Sequence, residues 1–340
     1  MTKSISLAFA TIAMLASGPA SYAASSGYHV LKTIDLGGDG GWDYLDLDAA
    51  AGKLYITRGS HVMVVDPAKG TVLADITDLQ GVHGTVFVKD RAYITEGGAN
   101  RLAVVERKSF KKIGEIAVGE GPDGVLYDDA SGRIFTFNGK SHDATAVDPT
   151  TGKIVGTVAL GGKPEAASSD GAGTIFVNIE DKNELAAFDA KTLTVKAHYP
   201  LPACESPSGQ AIDMRHGRIF SVCDGGVMDV TDMGTGKAVA KVKIGDGPDA
   251  SRFDPATGLI FSSNGESGDL TIVHEDGPDK FTVTDTIKTA PGARTMELDE
   301  KSHRVYLVTA DRKPGVPTAA QPHPRPVPIP GTFRLIVLGR

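Results

Sequence analysis

Short apolar runs separated by turn residues recur along the chain. Many are about five residues long, the usual length of a β-strand, and residues 133–137 and 154–158 are two examples. The runs either alternate with polar positions or are continuously apolar, whereas an amphipathic helix would place apolar residues three and four positions apart. Pairs such as Asp-Pro and Thr-Gly separate the runs and are typical of tight turns. The pattern predicts an all-β protein.

One arrangement of runs and turns repeats about every 42 residues. The stretch GEGPDGVLYDDASGRIFTFNG at residues 119–139 returns as GDGPDASRFDPATGLIFSSNG at residues 245–265, and the two begin 126 residues apart. Because 126 is three times 42, these stretches are the third and sixth copies of one repeat. Seven copies align on the residues that open them: Trp42-Asp43, His83-Gly84, Pro122-Asp123, Pro164-Glu165, Pro207-Ser208, Pro248-Asp249 and Gly292-Ala293.

Each repeat contains four short strands, which is the content of one propeller blade of about 40 to 45 residues. The last repeat supplies only three strands, at residues 295–299, 304–308 and 333–338. A fourth run at residues 29–36 precedes the first repeat and has the pattern of an outer strand. We therefore predict a single seven-bladed β-propeller over residues 24–340, with four antiparallel strands per blade and the N-terminal strand completing the last blade.

The chain resembles the YVTN/YncE-type seven-bladed propellers of bacteria. The matching residues are the Gly-x-Pro-Asp openings and turns such as Asp148-Pro149-Thr150-Thr151-Gly152-Lys153, although a clean Tyr-Val-Thr-Asn core is missing. The resemblance covers the whole chain after residue 23. Its motifs belong to blade architecture, so the resemblance implies an exported, periplasmic binding or scaffold protein without naming a ligand.

The N-terminus has the features of a signal peptide at residues 1–23. Lys3 is followed by an apolar stretch at residues 5–15, and Ser21 and Ala23 are the small residues that a signal peptidase requires. The apolar stretch is too short to anchor the chain in a bilayer, and no later segment is apolar enough to do so. We expect cleavage after Ala23 and a periplasmic or secreted protein that has no transmembrane anchor.

The net charge and the two cysteines limit the partners and the cysteine chemistry that we expect. The net charge is −7 and no basic run is present, so we expect no nucleic-acid partner. The two cysteines, Cys204 and Cys223, are predicted to form a disulfide in an exported chain. Two unpaired buried thiols are the alternative, and a copper site is disfavoured because no Met or His lies close in sequence.

The residues that open the seven repeats are the candidate functional site. In a propeller, the link from an outer strand to the next inner strand lies at one mouth of the central channel. The ring of opening side chains is predicted to comprise Asp43, His83, Asp123, Glu165, Ser208, Asp249 and Arg294, which we call the rim residues. Second strands end on the same side and would add Glu96, Asn138, Asn178, Asp224 and Asn264.

Three interpretations of this ring remain open. The first is a ligand-binding or protein-interaction scaffold that uses Asp43, His83, Asp123, Glu165, Asp249 and Arg294, acting as a monomer on a small molecule or a periplasmic protein. A calcium or magnesium ion held by Glu165, Asn138 and Asn178 could support it, since hard cations prefer oxygen ligands. The second is a metal-assisted hydrolase or lyase for a small lactone or sugar-derived substrate, with His83 as base, Glu165 as acid or metal ligand and Arg294 as anion clamp. The third is a polar lining for a water-filled channel.

Two other motifs are predicted to be structural. Gly119-Glu120-Gly121-Pro122-Asp123-Gly124 matches G-x-G-x-x-G, but a strand follows it where a dinucleotide site needs a helix. The aspartates that end third strands, Asp66, Asp148 and Asp189, precede turns and are predicted to cap them.

The segment at residues 311–331 is a proline-rich insertion between the second and third strands of the last blade. Its proline density favours extended polyproline conformation and prevents strand pairing. The topology predicts that it projects on the channel-mouth side. It could cover the channel or bind a partner, and a solvated insertion is the alternative.

Overall fold

The computed structural model describes residues 25–340 apart from 318–323 and 325. It contains seven four-stranded antiparallel sheets arranged as the blades of a β-propeller, which confirms the predicted fold. The predicted signal peptide at residues 1–23 lies outside the described residues. Within them, no helix has the length and apolar character needed to cross a membrane.

The strands follow one another from the inner to the outer position in blades 1 to 6. The N-terminal strand is β1 (His29–Asp35). Blade 1 contains β2 (Leu45–Asp48), β3 (Lys53–Thr57), β4 (Val62–Asp66) and β5 (Thr71–Ile76). Blade 2 contains β6 (Val82–Val88), β7 (Arg91–Glu96), β8 (Arg101–Glu106) and β9 (Lys111–Ala117). Blade 3 contains β10 (Pro122–Asp128), β11 (Arg133–Asn138), β12 (Asp143–Asp148) and β13 (Lys153–Ala159).

Blades 4 to 7 continue the same order. Blade 4 contains β14 (Pro164–Ser169), β15 (Thr174–Ile179), a 3-10 helix (Glu180–Lys182), β16 (Glu184–Asp189) and β17 (Val195–Pro200). Blade 5 contains β18 (Glu205–Asp213), β19 (Arg218–Asp224), β20 (Val227–Asp232) and β21 (Ala238–Lys243). Blade 6 contains β22 (Pro248–Asp254), β23 (Leu259–Asn264), β24 (Asp269–Gly277) and β25 (Lys280–Lys288). The last blade contains β26 (Met296–Asp299), β27 (Arg304–Thr309) and β30 (Arg334–Gly339), while β28 (Arg312–Lys313) and β29 (Val327–Pro328) form a small ribbon in the insertion.

Strand β1 closes the ring by completing blade 7, as predicted. It pairs antiparallel with β30, from His29 opposite Gly339 to Asp35 opposite Arg334. The last blade therefore joins the two ends of the described chain, and β30 has a hydrogen-bonded neighbour on each side. Pairing of this kind removes an open sheet edge that could otherwise recruit another chain.

The apolar core lies between neighbouring blades. Second and third strands, such as β11 and β12, are buried along almost their whole length, whereas the outer strand β13 alternates between exposed and partly buried residues. Aromatic rings connect adjacent blades: Phe135 packs on Phe188 with ring centroids 5.4 Å apart, and Phe220 packs on Phe253 at 5.6 Å. Burial on two faces explains why the interior positions of β11 and β12 are apolar or threonine, while the outer strand β13 is mostly exposed.

The aspartates that end third strands cap the following turns, as predicted. The carboxylate of Asp148 accepts a hydrogen bond from the Thr150 amide at 2.7 Å, and that of Asp189 accepts one from the Thr192 amide at 2.9 Å. Asp66 accepts bonds from two backbone amides in the same way. These carboxylates therefore stabilise turns on separate blades and do not assemble a shared site.

Cys204 and Cys223 form a disulfide, as predicted. Their Cα atoms are 5.2 Å apart, which is a usual separation for bridged cysteines. Cys204 precedes the inner strand of blade 5 and Cys223 lies near the end of the second strand. The bridge therefore fixes the start of blade 5 beside the channel mouth.

Removing this bridge should lower the stability of the propeller. The cysteines are 19 residues apart, and closing a loop of this length stabilises a fold by about 3 kcal/mol. Urea unfolding of the Cys204→Ala, Cys223→Ala variant should show a loss of that order. Reduced wild-type protein serves as the control because its side chains are otherwise unchanged. Equal unfolding midpoints for oxidised and reduced wild type would contradict the prediction.

Candidate functional site

A β-bulge at the start of most inner strands directs the rim residues into the channel. The pairing register shifts between Val82 and Thr85 in blade 2, and between Pro122 and Val125 in blade 3. Similar shifts occur at the start of blades 4, 5 and 6. Because a bulge inserts an extra residue and re-aims its neighbours, the second residue of the strand, such as Asp123, can turn toward the channel axis.

Glycine after the rim residue allows neighbouring inner strands to approach closely. A Cβ atom on Gly209 would lie 2.6 Å from the Cα atom of Ala250 in the next blade. A Cβ atom on Gly124 would lie 3.3 Å from the backbone oxygen of Glu165. The small residue therefore permits the close packing that brings the rim residues of adjacent blades together.

Side chains from one blade hold the backbone of the next rim residue. The Thr95 hydroxyl donates to the carbonyl of Asp123 at 2.7 Å, and the Thr295 hydroxyl of blade 7 donates to the carbonyl of Asp43 at 2.7 Å. Comparable bonds run from Asn178 to the Ser208 carbonyl, from Ser208 to the Pro248 carbonyl and from Ser263 to the Arg294 carbonyl. The rim is thus positioned by hydrogen bonds between blades, including the pair that closes the ring.

Five of the predicted rim residues form one charged network. His83 Nδ1 lies 2.7 Å from a carboxylate oxygen of Asp43 and 3.6 Å from one of Asp123. Arg294 lies 3.4 Å from the other Asp43 oxygen and also forms a salt bridge with Asp249. Burial alone would lower the pKa of His83, but the Asp43 hydrogen bond and the surrounding carboxylates raise it above its usual value. This network favours the protonated form of His83 between Asp43 and Asp123.

Glu165 lies beside this network. Its side chain is 16% exposed and its nearest basic partner is Lys163 at 3.5 Å, which also pairs with Glu180. Burial, followed by the charge of Asp123, raises the pKa of Glu165 to about 8. Burial raises the pKa of Asp123 to about 6, although His83 opposes that shift. Both carboxyl groups are therefore destabilised in their ionised forms.

Six of the seven rim residues, all except His83, line a cavity of about 1150 Å³ at the channel mouth. Its described lining includes seven carboxylates: Asp43, Asp123, Glu165, Glu180, Asp224, Asp249 and Glu266. It includes four basic side chains: Lys163, Arg294, Arg312 and Lys313. Among the described residues, the lining therefore carries three more acidic than basic side chains. We call this cavity the mouth cavity.

The proline-rich insertion lies on the mouth side of the propeller, as predicted. Its described residues that line the mouth cavity include Pro314, Gly315, Pro324 and Pro328. The ribbon of β28 and β29 holds the two ends of the insertion together. The insertion thus forms part of one wall of the cavity.

Asn138 and Asn178 do not join Glu165 as a set of ion ligands. The amide oxygen of Asn138 accepts a hydrogen bond from Thr136 at 3.0 Å, and that of Asn178 accepts one from Ser221 at 2.8 Å. Both asparagines are fully buried in the sheets. Their amides are already used to connect strands and blades, so they are not available to the mouth cavity.

Most second-strand ends have the same structural role. Glu96 is buried and accepts hydrogen bonds from Arg101 at 3.0 Å on both carboxylate oxygens. Asn264 is buried and donates to Asp269 at 2.8 Å. Of the five predicted second-strand residues, Asp224 lines the mouth cavity.

A second polar group lies deeper in the channel. Tyr44 lines both the mouth cavity and a further cavity of about 480 Å³, which Asp46 and Arg252 also line. Glu297 binds Arg252 through two contacts of 3.0 and 3.2 Å. Burial, followed by the charge of Glu297, raises the pKa of Asp46 to about 8. Sequence analysis missed these residues, although the period of two along each inner strand places them on the channel side.

Lys163 and Glu180 were also missed. Lys163 directly precedes a rim strand, and Glu180 lies in the 3-10 helix that follows β15. Their contact joins two segments of blade 4 at the mouth. A search of the residues adjoining each repeat opening would have found Lys163, whereas the 3-10 helix has no counterpart in the other repeats.

Comparison with known proteins shows similarity in fold. No family model matches the chain, and no curated protein matches it. Among solved structures, a chain from "Crystal Structure of Mitotic Checkpoint Complex" is 12% identical with a TM-score of 0.75, covering 99% of each chain. Kuenenia stuttgartiensis hydrazine synthase is 13% identical with a TM-score of 0.70, covering 79% of this chain and 92% of that chain. A streptogramin B lyase structure is 14% identical with a TM-score of 0.70, covering 92% and 97%. At these identities, the comparisons establish that this chain is a β-propeller and assign it no activity.

The Glu165→Gln variant should become more stable than wild type as the pH rises. The folded state keeps a proton on Glu165 up to about pH 8, whereas the unfolded state releases it near the ordinary value of 4.5. Wild-type stability should therefore fall across this window, and glutamine should remove that loss because it cannot ionise. At pH 8.5, the Tm should exceed that of wild type by roughly 2 °C or more, the shift that about 1 kcal/mol gives in a large domain.

Glu180→Gln is the control for this measurement. It removes another carboxylate that pairs with Lys163, but from a more exposed position. Differential scanning fluorimetry between pH 4.5 and 8.5 should separate the two variants. An equal rise in Tm for both would mean that charge removal beside Lys163, and not the enclosed position of Glu165, causes the effect.

Proposed function

We propose that this protein is an exported, small-ligand-binding propeller of the YVTN/YncE type whose mouth cavity takes a small organic cation. The observation that carries the proposal is that the described lining of a concave cavity of about 1150 Å³ has three more acidic than basic side chains. Concave sites of roughly 300 to 1,000 Å³ or slightly more suit small molecules better than flat protein surfaces do. The proposal therefore favours a small molecule over a protein partner.

The ionisation of the mouth cavity supports a cationic ligand. Burial raises the pKa values of Asp123 and Glu165, so each carboxylate lacks sufficient positive charge nearby. Burial, followed by the charges of Glu266 and Glu180, also raises the pKa of Asp224. A bound amine or guanidine would supply that charge and form charge-assisted hydrogen bonds with the carboxylates. Binding should therefore release protons near neutral pH.

Two observations support export. The disulfide between Cys204 and Cys223 is expected in an oxidising compartment. The apolar N-terminal segment ending at Ala23 has the features of a signal peptide. The mass of the secreted chain tests this part of the proposal: a chain that begins at residue 24 supports export, and an uncleaved chain contradicts it.

Spermidine should bind to the mature protein. The Asp123→Asn variant should bind spermidine at least about tenfold more weakly, which is a loss of about 1.4 kcal/mol in binding free energy. Asp123 faces the mouth cavity and supplies part of its negative field. Isothermal titration calorimetry at pH 7.5 measures this, with octane-1,8-diol and suberate as neutral and anionic probes of similar length. Affinity should also fall as salt concentration rises.

Glu115→Gln is the matched control for the spermidine titration. Glu115 is an exposed carboxylate on the outer strand β9, paired with Lys112 and Arg101 away from the mouth cavity. Its removal changes the net charge equally and should leave spermidine binding unchanged. Equal losses in Glu115→Gln and Asp123→Asn, or binding of suberate as tight as that of spermidine, would reject the cation site.

A metal-assisted hydrolase or lyase for a small lactone or sugar-derived substrate is the second candidate. The supporting observation is that ligand atoms of Asp43, His83 and Asp123 lie within 4.8 Å of one another. Protonated Glu165 could donate a proton to a leaving group. This candidate ranks second because the hydrogen bond to Asp43 and the nearby carboxylates raise the pKa of His83 and thus disfavour its neutral form, which a base or a metal ligand needs. Arg294 is also already paired with Asp249. One structure of the same fold is named as a lyase, so the fold is compatible with such a site.

The enzyme hypothesis predicts a stoichiometric metal and a turnover that depends on His83. Elemental analysis of protein purified without chelator, followed by a screen of small lactones and sugar-derived acids, tests both. His83→Ala should lose the metal, and its turnover should fall by at least about 100-fold. His198→Ala should retain both, because His198 lies on the outer strand of blade 4 and pairs with a single carboxylate. Absence of metal together with absence of turnover with any added divalent ion would reject this candidate.

A further inference from the structure

The seams between blades on the face opposite the mouth repeat one arrangement. Several inner strands end in an aspartate that contacts a hydrogen-bond donor from the next blade. These pairs are Asp48 with Arg107, Asp128 with Ser169, and Asp254 with His303. Each buried carboxylate thus receives a proton donor across the seam, as buried polar groups require.

The seam between blades 5 and 6 departs from this arrangement. Asp213 ends inner strand β18, but blade 6 places the carboxylate of Glu275 beside it. Glu275 belongs to β24, which is nine residues long. The Glu275 carboxylate, a hydrogen-bond acceptor, therefore lies where the three pairs above have a hydrogen-bond donor. His216, from the turn after Asp213, lies between the two acids.

The three side chains converge on one point. His216 Nδ1 lies 3.0 Å from an oxygen of Asp213 and 3.2 Å from Oε1 of Glu275. The side chains of Asp213 and Glu275 are 3% and 2% exposed. Nevertheless, both His216 Nδ1 and Glu275 Oε1 are buried atoms without a hydrogen-bond partner. The nearly fully buried Oε1 atom of Glu275 thus points toward the ligand atoms of His216 and Asp213 without forming a hydrogen bond with either.

These separations fit ligands that share one metal ion. Zinc binds imidazole nitrogen at about 2.0 to 2.1 Å and carboxylate oxygen at about 2.0 to 2.2 Å, so its ligand atoms lie roughly 3.0 to 3.5 Å apart. The distances of 3.0 and 3.2 Å at His216 fall in that range. Two carboxylates also balance the charge of a divalent ion, which removes the repulsion between two buried acids.

Among the described residues, no salt bridge joins a lysine or arginine to Asp213 or Glu275. Arg215, next to His216 in sequence, is exposed, and the guanidinium of Arg218 binds Asp232 and Asp279 and the backbone oxygen of Pro278.

We propose that Asp213, His216 and Glu275 bind a divalent transition-metal ion of the zinc class, which links blade 5 to blade 6 on the face opposite the mouth. An imidazole ligand favours zinc and its neighbours over calcium and magnesium, which prefer oxygen ligands alone. This site is separate from the mouth cavity and does not depend on the function proposed for it.

Zinc titration of the full mature chain, freed of metal with a chelator, tests the proposal. Wild type should bind zinc at this site, and a concentration of about 100 times the Kd should raise the Tm by roughly 5 °C or more. His216→Gln should bind zinc about 100-fold more weakly. Glu275→Gln should also lose the zinc-dependent rise in Tm, while its metal-free Tm equals or exceeds that of wild type, because one of two adjacent acids is neutral.

Two control variants make the result specific. His303→Gln alters the matched Asp–His pair of the next seam, which belongs to no cluster of three ligand atoms among the described residues. This variant should retain zinc binding at the proposed site. His83→Gln removes the imidazole at the mouth. Comparison of its zinc binding with that of wild type distinguishes zinc bound at Asp43 and Asp123 from zinc bound at this seam. Equal affinity and stoichiometry in wild type and His216→Gln, or absence of zinc binding by wild type, would overturn the proposal.

Discussion

Closure of the ring by β1 is the constraint on which the rest of the structure depends. The seven blades bury their middle strands only against neighbouring blades, so a gap at any seam would expose apolar surface on both sides. Pairing of β1 with β30 ties the start of the described chain to its end. The same closure brings Thr295 of blade 7 to the carbonyl of Asp43 in blade 1. Rim residues distant in sequence therefore meet because the ring is complete.

Convergence of the rim concentrates charge in a small space. Seven carboxylates line the mouth cavity, and their neighbours neutralise them unequally. Asp249 has the guanidinium of Arg294 and Asp43 has both Arg294 and His83, whereas Glu165 shares a single lysine with Glu180. Burial, followed by the charge of Asp123, therefore raises the pKa of Glu165 despite the opposing charge of Lys163. The imbalance is also the reason to expect a positively charged ligand.

The two faces of the propeller use similar residues for different purposes. At the mouth, the imidazole of His83 lies between Asp43 and Asp123 and forms a hydrogen bond with Asp43, so a proton can satisfy these side chains. At the opposite face, the imidazole of His216 also lies between two acids, but its Nδ1 atom has no hydrogen-bond partner. In three other seams, a hydroxyl, guanidinium or imidazole group from the next blade satisfies the buried aspartate. The difference in hydrogen bonding separates a charged network from a candidate metal site.

The sequence by itself determined the number of blades, the closing strand, the disulfide and the ring of rim residues. These features follow from local patterns: a strand needs alternation, a turn needs its capping aspartate, and the topology of a repeat places its opening residue at the channel. Only the tertiary structure decided which polar residues face the cavity. Asn138 and Asn178 occupy equivalent positions to Asp224, yet they are buried and Asp224 lines the cavity. The contact of His216 with Glu275 also required the folded ring, because the seam that joins them depends on how neighbouring blades pack and not on the pattern within either blade.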